Sequence, residues 1–192
     1  MATQLHPLIA RADTTVPVTV QTRAALGPSD AFDAIVPIDL SLVFKGWGPF
    51  PAVRGVKNQT AAWDHAGPSR NPDLSDGSTA TERLTEYTAG HSFGYELTQF
   101  TGILRRFISG IRGEWTFTPD GNATMIRWTY EFKPLRGRDA LVRFGIAPLW
   151  RRYMQLGVEA AARIAEENLG GRGALLPDQR PARSAGLTLR GA

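Results

Sequence analysis

The sequence predicts an α+β domain in which a curved antiparallel sheet of about seven strands wraps a long C-terminal helix, with two short helices after the first strand. Three observations carry this. Residues 53–133 alternate apolar and polar side chains in short runs separated by turn residues. One apolar stripe at helical spacing runs from Leu149 to Ala165. The chain has 192 residues, 42% hydrophobic and 21% charged, which is the composition of one ordinary globular domain and not of a disordered chain.

The first strand is Thr15–Arg23, where Val16, Val18 and Val20 alternate with Thr19 and Gln21. Pro17 lacks a backbone donor and places this strand at or near a sheet edge. Gly27-Pro28-Ser29-Asp30 then reads as a helix start with proline in the first turn. Pro37 interrupts that helix, a second short helix covers Ile38–Phe44, and Gly46, Gly48, Pro49 and Pro51 end it. Strands are expected at Val56–Trp63, Arg70–Leu74, Ser78–Thr88, Ser92–Phe100, Gly110–Thr118 and Thr124–Lys133, an antiparallel meander by their regular spacing. In the last of these Ile126, Trp128, Tyr130 and Phe132 share one face. The long helix is expected from Arg138 to Asn168. Leu149, Trp150, Tyr153, Met154, Gly157, Val158, Ala161, Ile164 and Ala165 form its buried stripe; Pro148 should kink or start it and Gly170-Gly171 stop it.

Composition excludes several functions. There is no cysteine, hence no disulfide, thiolate nucleophile or cysteine-based zinc site. No apolar run is long enough to cross a bilayer, and no signal peptide is visible at the start, so a cytoplasmic protein without stable membrane insertion is expected. The pI of about 9.8 invites a nucleic-acid reading. However, Arg172, Arg180, Arg183 and Arg190 against Asp178 put +3 of the formal net charge of +4 into residues 170–192. The remaining body is nearly neutral, so no nucleic-acid partner is expected. Residues 1–14 read as a flexible N-terminal segment, 15–169 as the folded domain, and 170–192 as a basic Gly/Pro/Arg tail without fixed structure.

Several motifs resemble one superfamily. Asp39-Leu40-Ser41-Leu42-Val43-Phe44 followed by Gly46, Gly48 and Pro51 is similar to its second-helix and loop signature. Trp63-Asp64, Gly67, Arg70, Leu74-Ser75-Asp76-Gly77-Ser78 and Glu82 are similar to its second to fourth strands. Gly113-Glu114-Trp115-Thr116-Phe117, Gly121, Thr124 and Trp128-Thr129-Tyr130 are similar to its last hairpin, and Pro148-Leu149-Trp150-Arg151 opens the helix. Over residues 15–168 the order and spacing resemble the SRPBCC superfamily of START-related and birch-pollen-allergen-like proteins, in its polyketide cyclase/dehydrase-like branch. The resemblance implies the helix-grip fold and a cavity for a small apolar ligand. It does not by itself imply a reaction, because members of this superfamily either catalyse aldol cyclisation or dehydration or only carry and sense ligands.

The residues bear on the chemistry as follows. The three histidines, His6, His65 and His91, show no metal-ligand spacing, and no phosphate loop, dinucleotide fingerprint or nucleophile elbow occurs, so neither metal nor cofactor is expected. Trp63, Phe93, Tyr95, Trp115, Phe117, Trp128, Tyr130, Trp150, Tyr153 and Met154 are the candidate ligand contacts, being large side chains on strands or on the long helix. Arg70 and Glu82 are the best polar candidates. A three-residue Ser75-Asp76-Gly77 loop with a bulge sets them opposite one another, whereas a two-residue turn would set Arg70 against Arg83. The pair faces either the cavity or the outer surface. If the protein is an enzyme, a cyclase or dehydratase step is expected, with Arg70 stabilising an enolate oxygen and Tyr95, Tyr130 or Glu82 transferring protons. The rival expectation is a non-catalytic carrier or protein-interaction module. Gly102–Ile108, apolar residues beside Arg105 and Arg106, is open between a cavity lid, a homodimer contact and a membrane-surface contact.

Overall fold

A computed structural model describes residues 13–173. One seven-stranded antiparallel sheet runs in the order β1-β7-β6-β5-β4-β3-β2. The strands are β1 (Val16–Ala24), β2 (Val53–Lys57), β3 (Ser69–Leu74), β4 (Thr81–Thr88), β5 (Ser92–Thr98), β6 (Ile108–Asp120) and β7 (Ala123–Pro134). Between β1 and β2 lie α1 (Pro28–Ile35) and α2 (Leu40–Val43), and α3 (Asp139–Leu141) and α4 (Ala147–Gly173) follow β7. This is the helix-grip arrangement.

β1 is at one edge, as Pro17 requires, and pairs with β7 from Val16↔Phe132 to Ala24↔Thr124. The inward residues of β7, which are Ile126, Trp128, Tyr130 and Phe132, are all buried. They meet Met154, Val158, Ala161, Ala162 and Ala165 of α4 in one core. One guanidinium and one side-chain amide tie α4 to β1: Arg151 donates to the Thr19 carbonyl at 2.7 Å and Gln155 to the Gln21 carbonyl at 3.1 Å. Helix α1 plugs one end of the sheet. Its Phe32 is fully buried and meets Tyr87, Phe93 and Phe117 edge-on.

Four sequence expectations are corrected. The strand expected at Val56–Trp63 begins earlier and stops at Lys57, because Asn58 turns into the left-handed region at φ 53°. Trp63 therefore lies in a loop. The strand expected from Ser78 starts at Thr81, since the Leu74 amide closes the hairpin on the Ser78 carbonyl at 3.0 Å and Thr79 turns its hydroxyl to the Pro72 carbonyl at 2.6 Å. Leu149 is 44% exposed and leaves the helix stripe, while Ala162 joins it. The Gly170-Gly171 stop does not hold either, because α4 continues to Gly173; glycine weakens a helix without forbidding it.

The expected kink at Pro148 takes a specific form. Residues Val142–Ile146 make a π-helical turn between α3 and α4. Proline has no N–H to give the carbonyl four residues back, at Phe144, so the ladder widens by one residue just before it. Residues 1–12 and 174–192, with the expectations set on the two ends, lie outside the described residues.

Candidate functional site

The concave face of the sheet, α2 and the start of α4 enclose a cavity of about 320 Å³. The cavity exists because the sheet curves away from α4. The helix packs chiefly over β1 and α1, which leaves the β3–β5 side of the concave face uncovered. Most of its wall is apolar and aromatic, with Phe44, Phe50, Phe93, Trp115, Trp128, Tyr130, Trp150 and Tyr153 among the lining side chains. Ile103, Leu149, Pro49 and Asp76 are the exposed lining residues and mark where it reaches the surface.

Arg70 and Glu82 form its polar pole. The bulged loop sets Arg70 directly opposite Glu82, and Gly77 takes the left-handed conformation at φ 79° that this loop needs. Both side chains point inward. Arg70 Nε donates to Glu82 Oε2 at 2.6 Å, and the two side chains are 9% and 7% exposed. Trp63 closes over the pair, its ring centroid 3.9 Å from the guanidinium carbon. A buried ion pair needs such shielding and orientation, because desolvation offsets much of its attraction. The contact uses Nε, while Nη1 and Nη2 remain donors in the planar fork.

Tyr95 and Tyr130 form a second polar point. Trp128 Nε1 donates to the Tyr95 hydroxyl at 2.9 Å. Burial, followed by the nearby Glu82 carboxylate, pushes the Tyr95 hydroxyl far above the usual tyrosine value. Burial, followed by the neighbouring Tyr95, does the same to Tyr130. Both are neutral hydroxyls at physiological pH. Gly113 makes this possible, since a Cβ there would sit 2.3 Å from Tyr95 Cζ. The ring lies flat on the β6 backbone where only glycine fits. Gly157 does the same on α4 for Phe44, whose Cε1 would lie 2.6 Å from an added Cβ.

Of the candidate contacts, Trp63, Phe93, Tyr95, Trp115, Trp128, Tyr130, Trp150 and Tyr153 line the cavity. Phe117 and Met154 do not. Phe117 packs under Phe32 with centroids 5.3 Å apart, and Met154 is fully buried in the helix–sheet core. Sequence reading missed Phe44 and Phe50, although the Gly/Pro-rich run that holds Phe50 was a signal of a loop able to fold over an opening. Tyr153 fixes that loop by donating to the Pro51 carbonyl at 3.0 Å. Among the described residues no cluster of three or more metal-ligating side chains occurs.

A sheet curved around a helix, with a cavity under its open side, is a shared architecture, and the family match settles which group carries it here. Residues 15–169 match the family described as polyketide cyclase/dehydrase and lipid transport. The chain belongs to this family. Its fold is shared by solved structures of low identity. Ara h 8.0201 superposes with a TM-score of 0.63 at 13% identity, covering 81% of this chain and 100% of that one. The protein XoxI from Bacillus cereus gives 0.56 at 15% identity, over 80% and 98% of the two chains. An uncharacterized protein from Bacillus thuringiensis gives 0.54 at 13%, over 77% and 96%. No curated protein matches the sequence. Among the described residues no helix is long and apolar enough to cross a membrane.

Proposed function

We propose that residues 15–169 form a cytoplasmic binding unit for a small hydrophobic ligand of aromatic or polyketide-like shape. The observation that carries this is the cavity itself: about 320 Å³, lined by aromatic rings, with one buried Arg–Glu pair at its end. That volume lies in the range of small-molecule sites, and apolar walls with few polar points are their usual chemistry. The cavity supports this reading over that of a purely structural interaction module. The ligand would lay its rings on Trp115, Trp128 and Tyr130 and turn an oxygen toward Arg70.

The same pole favours a reaction as a second reading. In an aldol cyclisation or dehydration, Arg70 would stabilise the enolate oxygen, and Glu82 would accept the proton. Tyr95 and Tyr130, neutral at physiological pH, would act as proton donors and not as bases.

Uptake of an apolar fluorescent probe tests the binding reading, together with native mass spectrometry for a co-purified apolar compound. The wild type should take up the probe, and Leu97→Trp, which puts an indole into the cavity from β5, should lower uptake at least tenfold. A wild type that takes up no probe and carries no compound would overturn the proposal.

A further inference from the structure

We propose that the mouth of the cavity docks on an anionic lipid surface. The proposal rests on the apolar-ligand reading above and adds the place where that ligand is exchanged. Two of the chain segments at the rim are apolar and basic, and both contribute lining residues to the cavity. One is the 3-10 turn Ile103–Arg106 before β6; the other is the π turn Val142–Ile146 with the residues on either side. The Leu135 amide bonds to the Phe107 carbonyl at 2.8 Å and holds the β7–α3 loop against the first segment.

These segments carry four of the six large apolar side chains that stand exposed among the described residues, the other two being Leu42 and Val56. Phe144 is 77% exposed, Ile103 59%, and Leu141 and Leu149 44% each. The Phe144 ring is not needed for the core; it stands on the widened turn that Pro148 imposes. Interspersed with these residues are the exposed arginines Arg105, Arg106, Arg136, Arg138 and Arg143. The neighbouring acids are Asp139 and Asp76; the latter lies beside Gly102 at the start of the 3-10 turn, where an added Cβ would sit 4.0 Å from its carboxylate, and that carboxylate already accepts from the Ser78 hydroxyl and amide. The near-neutral net charge of the body conceals this local excess.

Exposed aromatic and aliphatic tips inside a band of cations match an interface with apolar depth below and negative charge above. A soluble acidic partner would explain the arginines but not why the apolar tips ring a cavity opening. A membrane explains both, because an apolar ligand then passes between cavity and bilayer without crossing water.

The test is co-sedimentation of the full chain with vesicles, either of phosphatidylcholine alone or of phosphatidylcholine and phosphatidylserine in equal parts. Binding to the mixed vesicles is expected, with little to the neutral ones and a fall as salt rises. Phe144→Ala should weaken binding about tenfold. Arg105→Gln with Arg106→Gln should weaken it about fivefold per arginine removed. These side chains are exposed, so the thermal midpoint and probe uptake in solution should not change. No binding to mixed vesicles, or equal binding to both kinds, overturns the proposal, whereas failed probe uptake would overturn the cavity reading instead. Two further results would also overturn it. One is tight binding of soluble polyglutamate that is insensitive to Phe144→Ala. The other is a dimer in sedimentation velocity that Phe144→Ala dissolves.

Discussion

Replacing the two members of the buried ion pair, singly and together, tests whether Arg70 and Glu82 are kept for stability or for the cavity. Their side chains are 9% and 7% exposed, and the one contact between them is short. Glu82→Leu leaves the guanidinium buried, with Trp63 as its remaining neighbour; Arg70→Met leaves a carboxylate beside the neutral hydroxyls of Tyr95 and Tyr130. Removing one partner of such a pair costs about 3–5 kcal/mol, because the other charge is stranded away from water. For a domain of this size each kcal/mol moves the midpoint by about 2–4 °C, so each single variant should melt about 6–20 °C lower. The double variant Arg70→Met, Glu82→Leu fills the same space with apolar atoms and should regain most of that loss. Thermal unfolding followed by circular dichroism measures all four proteins, and probe titration measures their cavities. A double variant of near wild-type stability that no longer holds an oxygen-bearing ligand would assign the pair to the ligand. Single variants that each lose less than about 1 kcal/mol would refute the reasoning, because the pair would then be as well screened as a surface bridge.

Gly113→Ala should displace the Tyr95 ring, break its bond with Trp128, and cost about 1–3 kcal/mol in thermal unfolding with a changed near-ultraviolet signal. Gly157→Ala pushes Phe44 off α4 and toward the cavity it lines, so probe uptake should fall more than stability does; unchanged uptake would mean the ring escapes outward. Alkaline titration gives a third check. Tyr87, Tyr95, Tyr130 and Tyr153 are all raised, chiefly by burial. A raised folded value leaves stability intact below about pH 10 and erodes it as pH climbs above the unfolded value. Tyrosinate absorbance should therefore rise steeply together with unfolding; a gradual rise centred near pH 10 in a still-folded protein would contradict the burial.

Much of this fold was legible because the pattern is redundant. Ile126, Trp128, Tyr130 and Phe132 declare one face of β7 at period two, and the stripe from Tyr153 to Ala165 declares the helix that covers it. The Arg70–Glu82 register was legible too, since Gly77 and the like charge at Arg83 together excluded the shorter turn. What failed to show was set by contacts distant in sequence. Trp63 looks like a strand residue until Asn58 turns the chain, and in the fold it stacks on the Arg70 guanidinium, a contact its own neighbours in sequence do not announce. Phe117 and Tyr95 both point inward from the sheet, yet Phe117 lies in the core because α1 happens to plug that end. Which inward aromatic meets empty space depends on the helix position, and strand periodicity carries no information about that. The arginine rim was hidden for a related reason: net charge averages over a surface that the fold sorts by place.

The order of the strands has a consequence for how the protein comes into being. The first strand finds its place only beside the last, and the hydroxyls of Thr19 and Thr129, which meet at 2.9 Å, are 110 residues apart along the chain. A polypeptide emerging from the ribosome will have made β2 to β6 before β1 has a partner, and the wall supplied by α4 arrives last of all. Until then the aromatic row of Phe93, Trp115 and Trp128 faces water. Closure across so long a loop is slow, on the order of milliseconds to seconds for sheets of such non-local pairing. During that interval an apolar guest could be captured by the half-built sheet and sealed in as the helix docks. Ligand present during refolding would then shorten the exposure of a surface that otherwise invites aggregation.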